Sequence, residues 1–490
     1  MLTIATALCT AAVLGACLPV VMGLFQYLLG PLSCLATHLD KVATRQPRVA
    51  VLIPAWNEGA VVATTIDRLL AANYPSDRLR IYVVDDASTD ETPHIVIAKS
   101  KEFPGRVVHV RRVAGGEGKA HTLNYGLETA LADDWTEAVL IMDADVIYTP
   151  DSLAKMCRHL GDPAVGAVTA YIKEGSANPN WVQRYVGFEY ITATGVSRRA
   201  QNVLGFLTCL SGGAQLHSRE NLVAIGGQIF SHTLAEDTFT TFRTQLAGRR
   251  ALFEPNAIVY AEEPDGLVGL WKQRVRWARG NVQITRVFRK LWFNKSAHAS
   301  MGSTAMALLW FSIFLMPLFQ VGASVALVGL YFIDEPLSWL LFRGLWILAG
   351  LVYLVVTLTS FVVDPYSARR TWLEGVLFPG LISLGVIVYS LWPPLLAAAV
   401  DAVGPPEGSI ASAALRIGLY SWLSLSMVVA WLAKELERLD LPWSRRLAPV
   451  VLLVGGYGPF LCAVTVGAYV KEAQGAELTW DKTVKTGKVG

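Results

Sequence analysis

Charged residues are scarce in this sequence. Asp, Glu, Lys and Arg make up 17% of its 490 residues, whereas 53% are hydrophobic. Residues 1–39 and residues 301–333 contain no Asp, Glu, Lys or Arg. This composition excludes a wholly water-soluble globular protein and predicts an integral membrane protein with one sizeable soluble domain. The formal net charge of +3 is too small to indicate a partner.

Cysteine and histidine are also sparse and scattered. The six cysteines include no Cys-x-x-Cys pair, and the eight histidines show no metal-binding spacing. A disulfide framework and a structural zinc site are therefore not expected. The thiols are predicted to be free in a reducing compartment.

The N-terminus lacks the basic start of a secretory signal peptide. We therefore predict an uncleaved transmembrane helix over about residues 2–28, within an N-terminal segment 1–38. Lys41, Arg45 and Arg48 follow this segment. Basic residues beside a first span indicate that the following domain is cytosolic.

Residues 39–265 alternate short β-branched runs with helical ones. The alternation predicts a Rossmann-like α/β domain with a mostly parallel sheet, in which ligands bind at the carboxyl ends of strands. Strands are expected at residues 49–54, 81–84, 107–110, 138–142, 165–172 and 251–260, with a strand-like segment at 204–216. Helices are expected after a cap at Asn57-Glu58, at 181–199, and from Glu236 to about residue 245.

Two acidic clusters follow predicted strands. Asp143 and Asp145 are hard oxygen ligands that suit Mg²⁺ or Mn²⁺, although Asp-x-Asp is also frequent in ordinary loops. Asp85 and Asp86 suit a nucleobase or ribose, and a turn cap is the alternative.

Two further clusters carry candidate chemistry. Residues 115–119 resemble a phosphate loop, but Ala120 stands where a hydroxyl is required, which argues against a nucleoside triphosphatase. Lys119 at a helix start can still meet a diphosphate. Glu236-Asp237 offers a general base, and acidic residues also favour helix starts for electrostatic reasons alone.

The segment 266–300 is basic and amphipathic. Residues 271–295 contain eight Lys or Arg and no Asp or Glu, interleaved with apolar residues at helical spacing. It can be an interfacial helix on anionic lipid, or a sugar-diphosphate site in which Gln273, Arg276 and Trp277 form a Gln-x-x-Arg-Trp motif. Nucleic-acid binding is disfavoured because membrane spans adjoin the segment.

Residues 301–470 are predicted to form a transmembrane helical bundle, followed by a tail at 471–490. The charge-free run 301–333 exceeds one bilayer crossing, and Pro317 is a candidate kink. Further spans are expected at 340–363, 376–400, 410–432 and 447–470, the last broken at 455–459. With the N-terminal helix this gives about six spans. Arg343 and Arg416 suggest either a substrate path or snorkelling side chains near span ends.

The ordered motifs in residues 50–280 resemble those of the membrane-embedded family 2 glycosyltransferases, which include cellulose, hyaluronan, chitin and poly-β-1,6-N-acetylglucosamine synthases. The resemblance implies a GT-A fold and assigns roles by position. It assigns binding of the UDP donor to Pro54, Asn57, Glu58, Asp86, Lys119, Asp143, Asp145, Gln273 and Arg276, and binding of the metal to Asp143 and Asp145. It assigns binding of the acceptor to Trp277, Glu236 and, more loosely, Cys209, Ser211 and Gly212. Asp237 matches the catalytic base, although Ala235 replaces the more usual Thr.

The resemblance also implies an activity. We expect an inverting, processive β-glycosyltransferase of the inner (plasma) membrane that uses Mg²⁺ or Mn²⁺ and a UDP-sugar, with UDP-GlcNAc favoured. It would elongate a polysaccharide and extrude it through its transmembrane helices. The partners would be the donor, a glycan or lipid acceptor, membrane lipids and accessory subunits, but no nucleic acid. The alternatives are a non-processive enzyme that makes a glycolipid or polyprenyl-linked sugar, and a transporter or sensor that only binds nucleotide sugar.

Overall fold

The computed structural model describes residues 2–33, 45–395, 404–406 and 408–477. Their contacts divide them into two compact units. The globular unit comprises the described residues of Leu29–Asp265 and Gly280–Met306, and the helical unit those of Met1–Leu28, Gly266–Arg279 and Ala307–Ala476. The amphipathic segment predicted at 266–300 is thus divided after Arg279. Parts of four predicted segments lie outside the described residues, namely residues 1 and 34–38, residues 39–44, residues 396–400 and residues 478–490.

The globular unit is built on a mixed eight-stranded sheet. The strands are β1 Val49–Ala55, β2 Leu79–Asp85, β3 Val107–Arg111, β4 Ala138–Ile141, β5 Val146–Tyr148, β6 Val165–Glu174, β7 Gln215–Ser218 and β8 Arg250–Ala261. Their order across the sheet is β3-β2-β1-β4-β7-β6-β8-β5.

Ten of the α-helices in the described part of the chain belong to the globular unit or its borders. These are α1 Leu2–Leu32, α2 Val62–Leu70, α3 Thr92–Glu102, α4 Lys119–Ala130, α5 Ser152–Arg158, α6 Trp181–Glu189, α7 Ser197–Leu204, α8 Arg219–Ala224, α9 Glu236–Leu246 and α10 Leu267–Val287. Short 3₁₀ helices occur at Ser76–Arg78 and His159–Gly161.

Helices cover both faces of the sheet, which explains why its first strand is apolar at nearly every position. Successive side chains of a strand point to opposite faces. Val51 and Ile53 of β1 therefore enter one core with Ile66 of α2, whereas Leu52 enters a second core with Leu123 of α4. A strand buried on both sides is typical of a parallel sheet.

The predicted parallel core of the sheet is confirmed, and its antiparallel members are additions. β1 pairs in parallel with β2 and β4, and β2 pairs in parallel with β3. β7 joins antiparallel between β4 and β6, and β5 joins antiparallel to β8. The short strand β5 was not predicted, because three residues carry too little periodicity to be recognised.

The strand-like segment predicted at 204–216 is wrong for most of its length, since β7 begins only at Gln215. Leu207 and Leu210 owe their apolar character to a core with Tyr171 and Phe253, which they enter from an irregular segment. The strand itself contains Gln215 and His217. These polar residues interrupt the apolar pattern from which a buried strand is predicted. Burial lowers the pKa of His217 to about 4, so this histidine is neutral in the sheet.

The helix cap predicted at Asn57-Glu58 is also wrong. Helix α2 begins at Val62, and no side chain among the described residues caps it. The Asn57 side-chain oxygen instead accepts hydrogen bonds from the backbone N–H of Thr89 at 2.8 Å and of Asp90 at 3.3 Å. Asn57 has a φ of 55°, a conformation in which Asn is tolerated because its side chain can bond locally.

The helix predicted at 181–199 is a composite of three elements. A π-helix at Tyr190–Val196 separates α6 from α7. Such segments are rare, and they often occur at functional sites. A Cβ atom on Gly30 would lie 2.8 Å from Cγ1 of Val196, so the end of α1 packs closely against the end of this π-helix.

The helical unit contains most of the apolar helices. Beyond α1 and the first part of α10, they are Thr304–Phe314, Met316–Ile333, Glu335–Val363, Pro365–Val376, Leu381–Leu391, Ile410–Tyr420, Trp422–Arg438, Pro442–Gly455 and Tyr457–Ala473. Three described helices are long and apolar enough to cross a membrane: Leu2–Leu32, Met316–Ile333 and Glu335–Val363. Three further pairs are bent by 82°, 75° and 97°, and counting each pair as one span gives up to six.

The charge-free run at 301–333, which is longer than one bilayer crossing, is divided into two helices. One helix ends at Phe314 and the next begins at Met316, with Pro317 in its first turn. Proline suits that position because the first N–H groups of a helix have no intrahelical partner. The predicted break near residues 455–459 is present too, at Gly456, whose φ is 100°.

The two arginines within the apolar region have structural partners. Arg343 donates through Nη2 to the carbonyl of Ser390 at 3.0 Å, near the C-terminus of Leu381–Leu391. A cation there satisfies a terminal carbonyl and complements the helix dipole. Arg416 forms an ion pair with Glu335. These contacts explain both residues without a substrate path.

A buried carboxylate that contacts a histidine makes the stability of the globular unit dependent on pH. Glu254 of β8 is fully buried and accepts a hydrogen bond from Nε2 of His159 at 2.7 Å. Burial alone would raise the pKa of Glu254, but the contact with His159 outweighs it, so the pKa lies below its usual 4.5. The stabilisation is therefore fully present above pH 4.5 and is lost as the pH falls through the lower value.

We expect Glu254→Gln to lower the melting temperature at neutral pH, by the equivalent of about 1–3 kcal/mol, because His159 loses a charged partner. The difference from the unaltered protein should narrow as the pH falls from 4.5 through the lowered pKa of Glu254, because below that pKa both proteins carry a neutral group at this position. Thermal unfolding of the purified chain across this range measures it, with exposed Glu128→Gln as the control. A difference that stays constant with pH would contradict this assignment.

Candidate active site

Polar side chains gather at one edge of the parallel sheet. β1, β2 and β4 run in the same direction, so the residues that follow them lie at the same edge. The turn between β4 and β5 there carries Asp143 and Asp145, both half-buried. Both acidic clusters predicted from the sequence therefore lie at strand ends, as expected.

Lys119 occupies the centre of the acidic groups. It is the first residue of α4 and follows Gly118, whose φ of 100° favours glycine. Its Nζ forms an ion pair with Asp143, donates to the carbonyl of Gly212 at 3.1 Å, and lies 4.0 Å from Oε1 of Glu236. One ammonium thus joins the β4–β5 turn, the Gly212 segment and the start of α9.

The charge of Lys119 is stabilised by its surroundings. Burial lowers its pKa, because a dry environment disfavours the charged form. Attraction to Asp143, Glu236 and Asp237 outweighs burial and raises the pKa above its usual value. Lys119 is therefore a permanent cation at neutral pH, next to three carboxylates.

Two consecutive glycines keep the space among these charges open. A Cβ atom on Gly212 would lie 3.2 Å from Oδ2 of Asp237 and 3.4 Å from Nζ of Lys119. A Cβ atom on Gly213 would lie 3.1 Å from Oδ2 of Asp143. A side chain at either position would project among the charged groups, so the Gly-Gly pair leaves them room to approach one another.

Asp237 is held by the first turn of α9. Its Oδ1 accepts a hydrogen bond from the backbone N–H of Thr238 at 2.6 Å, and its carbonyl accepts one from the Thr241 hydroxyl at 2.6 Å. Ala235, just before the helix, contacts Gly280, where a Cβ atom would lie 2.5 Å from that of Ala235. The carboxylate is half-buried, and its backbone is fixed by close packing.

Cys209 and Ser211 lie beside Asp237. Burial, and then the nearby Asp237 carboxylate, raise the pKa of the Cys209 thiol, so it stays protonated. Ser211 is fixed twice: its N–H donates to the Thr169 hydroxyl at 3.0 Å, and its own hydroxyl accepts from Arg198. The structure therefore brings the predicted acceptor-side residues of the globular unit to the predicted base.

The predicted nucleotide residues form a neighbouring cluster. The N–H of Asp86 donates to the carbonyl of Ala55 at 2.8 Å, which ties the ends of β1 and β2 together. Asp86 Oδ2 accepts from the N–H of Gly116 at 3.0 Å, and Oδ1 pairs with Arg112. A carboxylate has further lone pairs on both oxygens, so Asp86 can still accept from a ligand.

The neighbouring acid has a structural role instead. Asp85 is fully buried; it accepts from Arg111 at 2.6 Å and from the N–H of Ser88 at 2.8 Å, and lies 3.2 Å from His109. Of the acidic pair singled out in the sequence, only Asp86 remains a candidate for ligand binding. Pro54 lies in β1, and the N–H of Glu58 donates to the Thr92 hydroxyl at 2.8 Å.

Two arginines at the site were not predicted. Arg112 pairs with both Asp86 and Glu117, and Arg198 donates to Ser211. The sequence offers a signal for Arg112, because this residue directly follows β3. That strand pairs with β2 in a register that puts Arg111 beside Asp85. Arg198 gives no such signal, because its direction depends on the π-helix that precedes it.

Asp143 and Asp145 fit a divalent cation. Asp143 already attracts the cationic group of Lys119, and both carboxylates lie on one tight turn. Within the described part of the chain, no group of three or more His, Cys, Asp or Glu could hold a metal ion. Magnesium typically takes one or two carboxylates, with substrate phosphates and waters as its other ligands, and this pair suits such a site.

Gln273, Arg276 and Trp277 belong to the helical unit, on the first part of α10. Gln273 accepts a hydrogen bond from Arg274, whose guanidinium lies 4.1 Å from the centre of the Trp277 ring. Trp277 is 38% exposed, so one part of the indole remains available to a ligand. Their predicted role in binding diphosphate and acceptor remains a proposal.

Comparison with known proteins extends these observations. Residues 47–280 match the family described as "Glycosyltransferase like family 2". A probable glycosyltransferase of Bacillus subtilis, YdaM, is 29% identical over 329 residues, which cover 66% of this chain and 76% of the relative. Poly-beta-1,6-N-acetyl-D-glucosamine synthase of Staphylococcus aureus is 30% identical over 241 residues, or 48% of this chain and 55% of the relative.

A third relative and a solved structure are also similar to this chain. Beta-monoglucosyldiacylglycerol synthase of Synechocystis is 32% identical over 247 residues, or 50% of each chain. The chain thus spans about half the length of these two synthases. A mannosyltransferase from Pyrobaculum calidifontis, solved with GDP-Man and Mn²⁺, aligns with a TM-score of 0.52 and 25% identity over 80% of this chain and 99% of its own.

The family match covers the strands and helices that carry the site just described, and the solved structure shares their arrangement. Residues 47–280 therefore form a glycosyltransferase domain of GT-A fold that matches family 2, and the chain has a further region of apolar helices.

Proposed function

We propose that this enzyme transfers a sugar, with inversion, from a UDP-sugar to the end of a growing polysaccharide, and that UDP-GlcNAc is its donor. The observation that carries the proposal is the position of Lys119. Its ammonium contacts Asp143, the predicted metal and diphosphate residue, and the Gly212 carbonyl. Gly212 in turn adjoins Asp237, the predicted base. Donor-side and acceptor-side residues are thus within reach of one small reacting centre.

The proposed chemistry begins with the acceptor hydroxyl. Asp237 removes its proton as the oxygen attacks the anomeric carbon, and the bond from that carbon to the diphosphate breaks on the opposite face. The nucleoside diphosphate leaves with the electron pair, and Lys119 stabilises the negative charge that develops on it. A Mg²⁺ or Mn²⁺ ion held by Asp143 and Asp145 would supply further charge neutralisation.

The nucleotide cluster accounts for the donor. Asp86 and Asn57 would face the nucleoside, with Arg112 and the loop of Gly116 holding Asp86 in place. The polysaccharide synthase from Staphylococcus supports UDP-GlcNAc as the sugar donor. The mannosyltransferase was solved with GDP-Man, so a donor panel has to include guanosine diphosphate sugars.

The membrane setting follows from the apolar helices. Up to six spans are available in the described helices, and the basic residues after α1 favour a cytosolic catalytic domain in the inner membrane. In this proposal Gln273, Arg276 and Trp277 bind the diphosphate and acceptor, and the polymer leaves through the spans. Membrane lipids and accessory subunits are the further partners we propose.

A second candidate function is transfer of one sugar to a membrane lipid. The glucolipid synthase from Synechocystis is as similar to this chain as the polysaccharide synthase is, and this similarity supports the second candidate function. The same base and donor site would serve both reactions. Mass analysis of the product separates them, since our proposal predicts a ladder of polymer lengths from one UDP-sugar. A single glycolipid from an added lipid, with no longer product, would establish the second candidate instead.

Asp237→Asn should reduce turnover by about 100-fold or more, because an amide cannot take up the acceptor proton. Affinity for the donor should change less than about twofold, since the residue lies on the acceptor side. Nucleoside diphosphate release by the purified enzyme gives the rate, and calorimetric titration gives the affinity. Exposed Asp134→Asn is the matched control, and unchanged turnover in Asp237→Asn would refute Asp237 as the base.

Removal of divalent cations with EDTA should abolish transfer, and added Mg²⁺ or Mn²⁺ should restore it. Asp145→Ala should raise the metal concentration for half-maximal rate by more than about tenfold, because one carboxylate ligand is lost. The assay is the same release measurement over a metal titration, with Asp134→Asn again as control. Full activity in EDTA after exhaustive dialysis would show that these two carboxylates serve another purpose.

A further inference from the structure

Arg198 is a half-buried cation on the acceptor side of the site. It is the second residue of α7, directly after the π-helix Tyr190–Val196. Its Nη1 donates to the hydroxyl of Ser211, and its guanidinium lies 6.0 Å from the centre of the Phe253 ring. The π-helix changes the register of the turn, so that Arg199 instead turns back to donate to the carbonyl of Gly195 at 2.8 Å.

Ser211 places this cation close to the predicted base. The residue after it, Gly212, comes so near to Asp237 that a Cβ atom there would lie 3.2 Å from Oδ2. The Ser211 backbone is itself anchored on β6 through the Thr169 hydroxyl at 3.0 Å. The guanidinium is therefore held by an anchored segment of chain that also lies beside Asp237.

The charge of Arg198 is only partly compensated. Burial lowers the pKa of Arg198, while Cys209, Asp237 and Tyr190 act in the opposite direction. Cys209 is a protonated thiol, and the Tyr190 hydroxyl donates to Glu263 at 2.6 Å. Among the groups that influence it, Asp237 supplies the ionised carboxylate. A cation that is partly withdrawn from water is costly unless a group of opposite charge lies near it.

We propose that Arg198 is an acceptor-binding residue, whose guanidinium donates hydrogen bonds to oxygens of the acceptor sugar beside Asp237. The inference rests on the proposed function and adds a residue to it. As the acceptor O–H bond breaks, its proton passes to Asp237 and negative charge develops on the attacking oxygen. That oxygen then bonds to the anomeric carbon, and the nucleoside diphosphate leaves with the electron pair. Arg198 keeps its hydrogen bonds to the acceptor sugar throughout the step.

The hydrogen bond to the Ser211 hydroxyl fixes the orientation of the Arg198 guanidinium. A guanidinium offers several N–H donors in one plane, so fixing one of them at Ser211 orients the others. A lysine side chain would retain the charge but lose the planar set of N–H donors. The role therefore predicts a graded response to substitution, in which charge and geometry can be separated.

The test compares transfer to an acceptor sugar with hydrolysis of the donor by water, using the full-length enzyme in detergent. Arg198→Met should lower kcat/KM for the acceptor by about 10- to 100-fold, as expected for a lost charged hydrogen bond. Donor hydrolysis and the KM for the donor should stay within about twofold. Arg198→Lys should recover part of the loss, and Ser211→Ala should raise the acceptor KM by a smaller factor.

Melting temperatures of all variants establish that each is folded, with exposed Arg68→Met as the control. If Arg198→Met does not fold, Arg198→Lys carries the test, with a raised acceptor KM and unchanged hydrolysis expected. A parallel fall in hydrolysis and transfer, or unchanged acceptor kinetics, would overturn the inference and leave Arg198 a structural residue. Failure of the proposed function itself is distinguishable, because Asp237→Asn would then retain its turnover.

Discussion

The organisation of the globular unit depends on a single cation surrounded by carboxylates. The ammonium of Lys119 is within 4.0 Å of Glu236, pairs with Asp143 and bonds to the Gly212 carbonyl. Without it the β4–β5 turn and the start of α9 would repel each other at this edge, because their acids converge in a poorly solvated space. The same charge that permits the fold is therefore already in place to receive an anionic diphosphate.

Close backbone approach is the second constraint, and it follows from the first. The absence of side chains at Gly212 and Gly213 lets the charged groups approach one another closely. A similar contact between Gly280 and Ala235 fixes the start of α9 and hence Asp237. An alanine at position 235, where the resembling enzymes more usually have threonine, is compatible with this packing. Small residues thus determine where the reactive groups lie.

Much of this architecture could be predicted from the sequence, and the exceptions share a physical cause. The parallel strands were recognisable because burial on both faces makes them continuous apolar runs. Asp143, Lys119 and Asp237 were recognisable because they follow strands or open helices. β7 was missed because its Gln215 and His217 are buried polar residues. Arg198 could not be found, since no sequence pattern marks a π-helix.

The most direct test of the account is a structure of the enzyme with a nucleoside diphosphate and Mn²⁺ bound. We expect diphosphate oxygens at Nζ of Lys119, the metal on the carboxylates of Asp143 and Asp145, and the nucleoside beside Asp86. The sugar position should then lie between the diphosphate and Asp237. A nucleotide bound elsewhere, with the Lys119 to Asp143 ion pair intact and Asp237 remote from the ligand, would contradict the account.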